Sequence, residues 1–172
     1  PPSAEDIAQR TIRKPMTKEE RKNFLKQFAT ALIPVVLAYT IFTITRDFCE
    51  DFANELWIET NYKNNAGIFA KMSTSVSLIC LALVGSFFLI KNNYNAFKVT
   101  HYLIALGVAM SFIATLLFNL QIISPFVWML FSTTGIYLGY IPFNCLYFER
   151  MIATYKLKSN VGFVMYIADA FG

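Results

Sequence analysis

Long apolar runs alternate along this chain with short charged stretches, and the lengths of the runs predict the architecture. Residues 27–45 are nineteen residues without a formal charge, bounded by Lys26 and Arg46. Residues 72–90 are another nineteen, bounded by Lys71 and Lys91. Between Lys98 and Glu149 lie fifty residues with no Lys, Arg, Asp or Glu. A bilayer core about 30 Å thick is crossed by about 20 apolar helical residues. The fifty-residue block is therefore two spans. Ser124-Pro125 is its natural break, because proline disfavours a helical residue before it and suits a first helical turn. The pattern predicts spans at about 27–45, 72–90, 99–120 and 126–148, with a truncated fifth over 161–172. The runs are too continuously apolar for barrel strands, and an open sheet would leave backbone groups unpaired in lipid. The predicted fold class is an all-α, polytopic membrane helix bundle.

Composition narrows the function classes. Hydrophobic residues make up 56% of the 172, which with the uncharged block argues against a soluble enzyme and a disordered chain. Cys49, Cys80 and Cys145 stand far apart, so neither a disulfide framework nor a zinc site is expected. His101 is the single histidine, which excludes sites needing several; at the start of span three it is expected at the interface. No cofactor or metal is expected. The sequence has no H-E-x-x-H, G-x-S-x-G or P-loop, and no enzyme activity is expected.

Basic residues set an orientation. With the N-terminus in the cytoplasm, the short loops place twelve Lys or Arg inside and three outside. Residues 1–26 then form a cytoplasmic basic linker and 27–172 the membrane domain of a multi-pass protein of the cytoplasmic (inner) membrane. Thr17 with Glu20 reads as a capping box that opens a basic amphipathic stretch. That stretch is expected to touch anionic lipid rather than nucleic acid. The first apolar run follows more than twenty polar residues, so no signal peptide is expected. The absent initiator Met and the short last apolar run are expected of a piece of a longer protein.

Polar residues inside or beside apolar spans are the candidates for chemistry, since ionisable groups in a bilayer are costly. After span one, with no Gly or Pro to stop the helix, Asp47, Asp51 and Glu55 form one acidic stripe. Arg46 and Glu50 can pair on the next stripe, and Trp57 suits the membrane interface. These charges either emerge into solvent or face a water-filled cavity. In span four Gly135 and Gly139 form a G-x-x-x-G that allows close helix approach, and Pro142 should kink the helix. Tyr137, Tyr140, Asn144 and Tyr147 fall roughly on one face. That face serves either helix packing or a substrate cavity. Asp169 sits about nine residues into the truncated fifth span, as a candidate for protonation, ion pairing or a hydrogen bond to a neighbouring helix. Glu149 and Arg150 are expected as an interfacial pair or a gate contact.

Four strings carry a resemblance: residues 1–24, TRDFCEDFANELW at 45–57, LGYIPFNCLYFERMIA at 138–153 and SNVGFVMYIADAFG at 159–172. They resemble the C-terminal half of a family of uncharacterised multi-spanning membrane proteins common in Bacteroidetes, itself distantly similar to major facilitator superfamily transporters. The resemblance implies that residues 1–24 link two six-helix halves in the cytoplasm. It implies that the spans are helices seven to eleven of twelve, with the N-terminal half of the same chain as partner. Helices seven and ten would line a cavity near mid-membrane. One departure stands out: loop 91–98 lacks the Gly and Asp that many facilitators carry between the second and third helix of a half.

The expected function is secondary transport of a small solute by alternating access, coupled to a proton or sodium. Arg46, Asp47, Glu50, Asp51, Glu55, Tyr137, Tyr140, Asn144 and Asp169 are the coupling or cavity candidates. The competing expectation is a membrane sensor or assembly protein that retains a transporter-like fold.

Overall fold

The computed structural model describes residues 15–61, 66–157 and 159–171. Among the described residues seven helices follow in order: α1 Lys18–Asp51, α2 Ala53–Glu59, α3 Ala66–Ser86, α4 Asn93–Asn119, α5 Pro125–Pro142, α6 Phe148–Tyr155 and α7 Val161–Asp169. A 3-10 turn, Phe87–Leu89, ends α3, and a π-helical turn, Phe143–Tyr147, joins α5 to α6. There is no strand among the described residues.

The helices start where local chemistry tells them to. The Thr17 hydroxyl accepts from the N–H of Glu20 at 3.3 Å, and Glu20 Oε2 accepts from the N–H of Thr17 at 2.7 Å. This is the capping box read from the sequence, and it satisfies two donors that a helix start would leave without partners. Asn92 caps α4 by accepting from the N–H of Asn95 at 3.0 Å. Ser124 caps α5, with Pro125 in the first turn.

Among the described residues four helical stretches are long and apolar enough to cross a membrane: Lys18–Asp51, Gly67–Ser86, Asn93–Asn119 and Pro125–Tyr155. They make this an integral membrane protein. Helix α7, at nine residues, is too short to cross. The helices overrun the apolar runs that announced them, because caps rather than charges end them.

Burial along α1 shows how these helices use their apolar surface. Leu32, Val36, Tyr39 and Thr43 are buried, while Ile33, Leu37, Ile41 and Ile44 stand exposed beside them. Both sets repeat at helical spacing, so the inner and outer faces are both apolar. A water-facing helix would carry polar residues on its outer face. Large aliphatic and aromatic side chains on the outside of α3 and α4, among them Leu81 and Phe112, repeat the arrangement.

Helix α5 is the centre, in contact with α1, α3 and α4. Two apolar clusters form around it. One gathers Phe24, Leu32, Tyr39, Phe97, Phe143, Phe148 and Val164. The other gathers Trp57, Met72, Val76, Leu103, Met129 and Leu138.

Two local expectations need correcting. The helix expected to continue through Trp57 breaks for one residue at Phe52 (φ −99°, ψ 15°). Bonds from Phe52 N–H to Phe48 O at 3.1 Å and from Leu56 N–H to Phe52 O at 3.0 Å carry the chain across the break. Trp57 is not displayed at a surface: it is 1% exposed, with its ring beside Phe69 and Phe126. At Pro142, where a bend is expected, a π turn follows directly. Proline has no N–H for the fourth carbonyl before it, and a wider turn is one way for a helix to absorb that loss.

Candidate functional site

The polar residues of the membrane domain gather on the inner face of α1 and on the part of α5 that meets it. Tyr39, Phe42, Thr43, Arg46 and Glu50 recur at three- and four-residue spacing, so one face of α1 presents them all. Gly139 lets the two helices close. A Cβ at Gly139 would collide with the Phe42 ring.

Arg46 is the first focus. Its Nε and Nη2 both donate to Asp47 Oδ1, the former at 3.0 Å. Its Nε lies 3.9 Å from Glu50 Oε1, and its guanidinium carbon 4.3 Å from the centre of the Tyr140 ring. The side chain is 23% exposed. A guanidinium held between a carboxylate and an aromatic face keeps its charge in a partly desolvated place. Across the groove, the Tyr137 hydroxyl donates to Glu50.

Tyr39 is the second focus. It is 4% exposed and stacks on Tyr140, with ring centres 5.8 Å apart and an 18° interplanar angle. Its hydroxyl donates to Asp169 Oδ1 at 2.8 Å and lies 3.2 Å from Asn144 Oδ1. A phenol has one proton, so the nearer carboxylate takes it and Asn144 is the second acceptor in reach. From Asp169 on α7 to Tyr137 on α5, these groups are linked through α1 by a hydrogen bond at each end, with ring stacking, a cation–ring contact and a long ion pair between.

Next to these groups lies a cavity of about 640 Å³ between α1, α3 and α5. Arg46, Glu50 and Tyr137 line it, with Trp57 and Phe69 at its edge and Met72, Val76 and Cys80 along α3. Ser73, Ser77 and Thr133 add hydroxyls.

The nine candidates therefore divide. Arg46, Glu50 and Tyr137 line the cavity, with Asp47 behind Arg46. Tyr140, Asn144 and Asp169 are drawn together by Tyr39, outside the cavity. Asp51 and Glu55 are exposed and do not line it. The single face expected for Tyr137, Tyr140, Asn144 and Tyr147 is split. In an unbroken α-helix, seven residues return a side chain to nearly the same face, which would set Tyr147 below Tyr140. The π turn displaces it, and Tyr147 packs instead against Phe97 and His101 of α4, both ring centres 5.3 Å away.

All of residues 1–172 match one family, described only as of unknown function. The chain belongs to the DUF5690 family. No curated protein and no solved structure matches it.

In this DUF5690 chain several contributors escaped the reading of the sequence. Tyr39 was missed, although it stands seven residues before Arg46 and so shares its face. Gly107 was missed as well. A Cβ there would run into the backbone of Gly135 and Gly139, and one at Gly135 would meet Gly107 and Ser111. The glycine pair of α5 thus has a third member on α4. Ser111 seals the crossing by donating to Ser132 O at 2.9 Å. Arg150 donates to Asn93 Oδ1 instead of pairing with the exposed Glu149. His101 is exposed, with Nδ1 2.8 Å from Phe97 O. The three cysteines are free, and no cluster of His, Cys, Asp and Glu among the described residues is placed to hold a metal.

Proposed function

We propose that this chain is the solute-binding bundle of a secondary transporter, and that the solute enters the cavity between α1, α3 and α5. The observation that carries the reading is that cavity: about 640 Å³, bordered by an ionic and phenolic group on helices otherwise dressed for lipid. Convergent polar groups in an apolar concavity are the common form of a small-molecule site. Alternating access follows from the resemblance to the second half of facilitator transporters, in which α1 and α5 take the places of helices seven and ten. On that reading the protein is not an enzyme, sits in the bacterial inner membrane with its basic N-terminal segment in the cytoplasm, and works with an N-terminal half of the same chain. A proton or sodium is the coupling ion, with Asp47 and Asp169 as the carboxylates that exchange it.

The test begins with the full-length protein purified in detergent. Its thermal unfolding is followed against metabolites, drugs and ions at two pH values, because a ligand that binds only the folded form raises the midpoint. Transport predicts a shift from one chemical class, reduced in Tyr137→Phe. Unchanged uptake and unchanged pH dependence in both Asp47→Asn and Asp169→Asn would remove the coupling role.

A sensor or assembly role is the second reading. It draws on a separate cleft of about 580 Å³, where Pro15, Met16 and Arg21 meet Phe163 and Tyr166 of α7. It predicts no solute-dependent shift and capture of a specific partner by residues 1–26.

A further inference from the structure

Among the described residues, two charged side chains, Arg46 and Glu50, line the cavity between α1, α3 and α5. They are not equivalent. Arg46 is matched from behind: it gives Nε and Nη2 to Asp47, which does not line the cavity, and its flat face rests on Tyr140. Glu50 is matched less closely, by a longer ion pair to the same Arg46. Its side chain is 51% exposed, and Arg46 Nε at 3.9 Å is beyond hydrogen-bond reach. The Tyr137 hydroxyl that bonds it is neutral. With its ordinary charges, the group Arg46, Asp47 and Glu50 sums to one negative charge. The geometry leaves that charge at Glu50, on the cavity side.

Among the described residues the remaining walls carry no charge to offset it. Ser73, Ser77 and Thr133 offer hydroxyls, while Met72, Val76 and Cys80 of α3 and Ile136 and Ile141 of α5 offer apolar surface. Trp57, Phe69 and Tyr137 add aromatic rings, which attract cations at their faces. Charges interact more strongly in such a low-dielectric place than in water. A bare inorganic ion would leave most of the 640 Å³ unfilled. An anion would have to draw Arg46 away from Asp47 and then sit beside Glu50.

Building on the reading of this cavity as the solute site, we propose that it takes an amphipathic organic cation. The cationic centre sits by Glu50, and the apolar body lies along α3 toward Trp57 and Phe69.

Tetraphenylphosphonium and tetraphenylborate separate charge from shape, since both carry four phenyl groups around an opposite charge. Binding to the full-length protein in detergent is read by Trp57 fluorescence in a background where Trp128 and every tryptophan outside residues 1–172 are replaced by Phe. Trp128 stacks on Phe118, away from the cavity. The exposed, cavity-lining Cys145 gives a second readout through its rate of modification by N-ethylmaleimide, resolved by peptide mass spectrometry. The expected result is phosphonium binding at least tenfold tighter than borate, with protection of Cys145. Glu50→Gln should abolish that preference and Glu50→Asp should keep most of it. Equal or tighter borate binding would overturn the cation assignment and leave the cavity standing as the solute site. Phosphonium binding that Glu50→Gln and Glu50→Asp both leave intact would overturn it too. If neither probe alters Trp57 fluorescence or Cys145 modification, the cation proposal and the reading of the cavity fall together.

Discussion

One hydroxyl, that of Tyr39, ties α1 to α7 by donating to Asp169, with Asn144 of the π turn in reach as a second acceptor. Tyr39→Phe removes that bond and keeps the stacked ring. It should cost about 1 kcal/mol, the usual net worth of a buried hydrogen bond. Tyr39→Ala also empties the space of the ring and should cost about 3–5 kcal/mol by analogy with other buried aromatics. Equilibrium unfolding in mixed micelles, comparing the two variants, checks the gap between them. Arg46→Lys should behave differently from a conservative change, since an ammonium can neither fork onto Asp47 nor lie flat on Tyr140; its thermal midpoint should fall toward that of Arg46→Gln. The charged residues of this region were legible because charge beside a long apolar run is conspicuous. Which of them face inward was not, because a helical stripe names a face without naming its neighbour. Asp51 and Glu55 share the stripe of Asp47, yet both point to solvent. Tyr39 was passed over because one tyrosine among many aromatic residues carries no mark of its own until α7 supplies Asp169.

At the scale of elements, glycines decide where helices touch. Gly107 and Gly135 meet backbone to backbone, with no room for a Cβ on either. Gly107→Leu should therefore force α4 and α5 apart and cost about 1–3 kcal/mol or more, as overpacking does. Gly85 is the internal control, since a Cβ there meets nothing within 4 Å. Gly85→Ala should hold or raise the thermal midpoint, by up to about 1 kcal/mol of helix propensity. Thermal unfolding of the two variants side by side distinguishes close packing from a general intolerance of side chains. The existence of each long helix was legible, as were the capping box at Thr17 and the break at Ser124-Pro125, because run length, cap chemistry and proline's constraints are local. The break at Phe52 was not: neither Gly nor Pro announces it. The glycine pair of α5 was visible, but its partner Gly107 could be found only by bringing α4 alongside.

For the whole molecule, the membrane class rested on run length alone and needed no knowledge of packing. The cavity did need it, since its lining comes from four helices, α1, α2, α3 and α5, and from the π turn. Orientation is a matter of where lysines and arginines collect, and the proposed topology makes a direct prediction. A membrane-impermeant amine reagent should label Lys26 and Lys156 in inside-out vesicles and spare them in right-side-out ones. Lys71 should show the reverse. Peptide mass spectrometry reads all three sites in one digest, and labelling of Lys26 and Lys71 from the same side would break the proposed topology.

The π turn also has a consequence for reading relatives of this chain. It holds one residue more than a regular helix would use, and each helical residue advances the chain by about 100°. Remove Asn144, let the turn tighten to an α-helix, and the two changes offset each other, so the phase of everything after it is kept. Phe148 and Ile152, now buried, would stay on the core; only a regular helix that kept all five residues would swing them off it. A family member one residue shorter here should therefore keep these apolar positions, each numbered one lower. Its alignment with this chain should open a gap between Pro142 and Phe148, inside a helix, where gaps are ordinarily least expected.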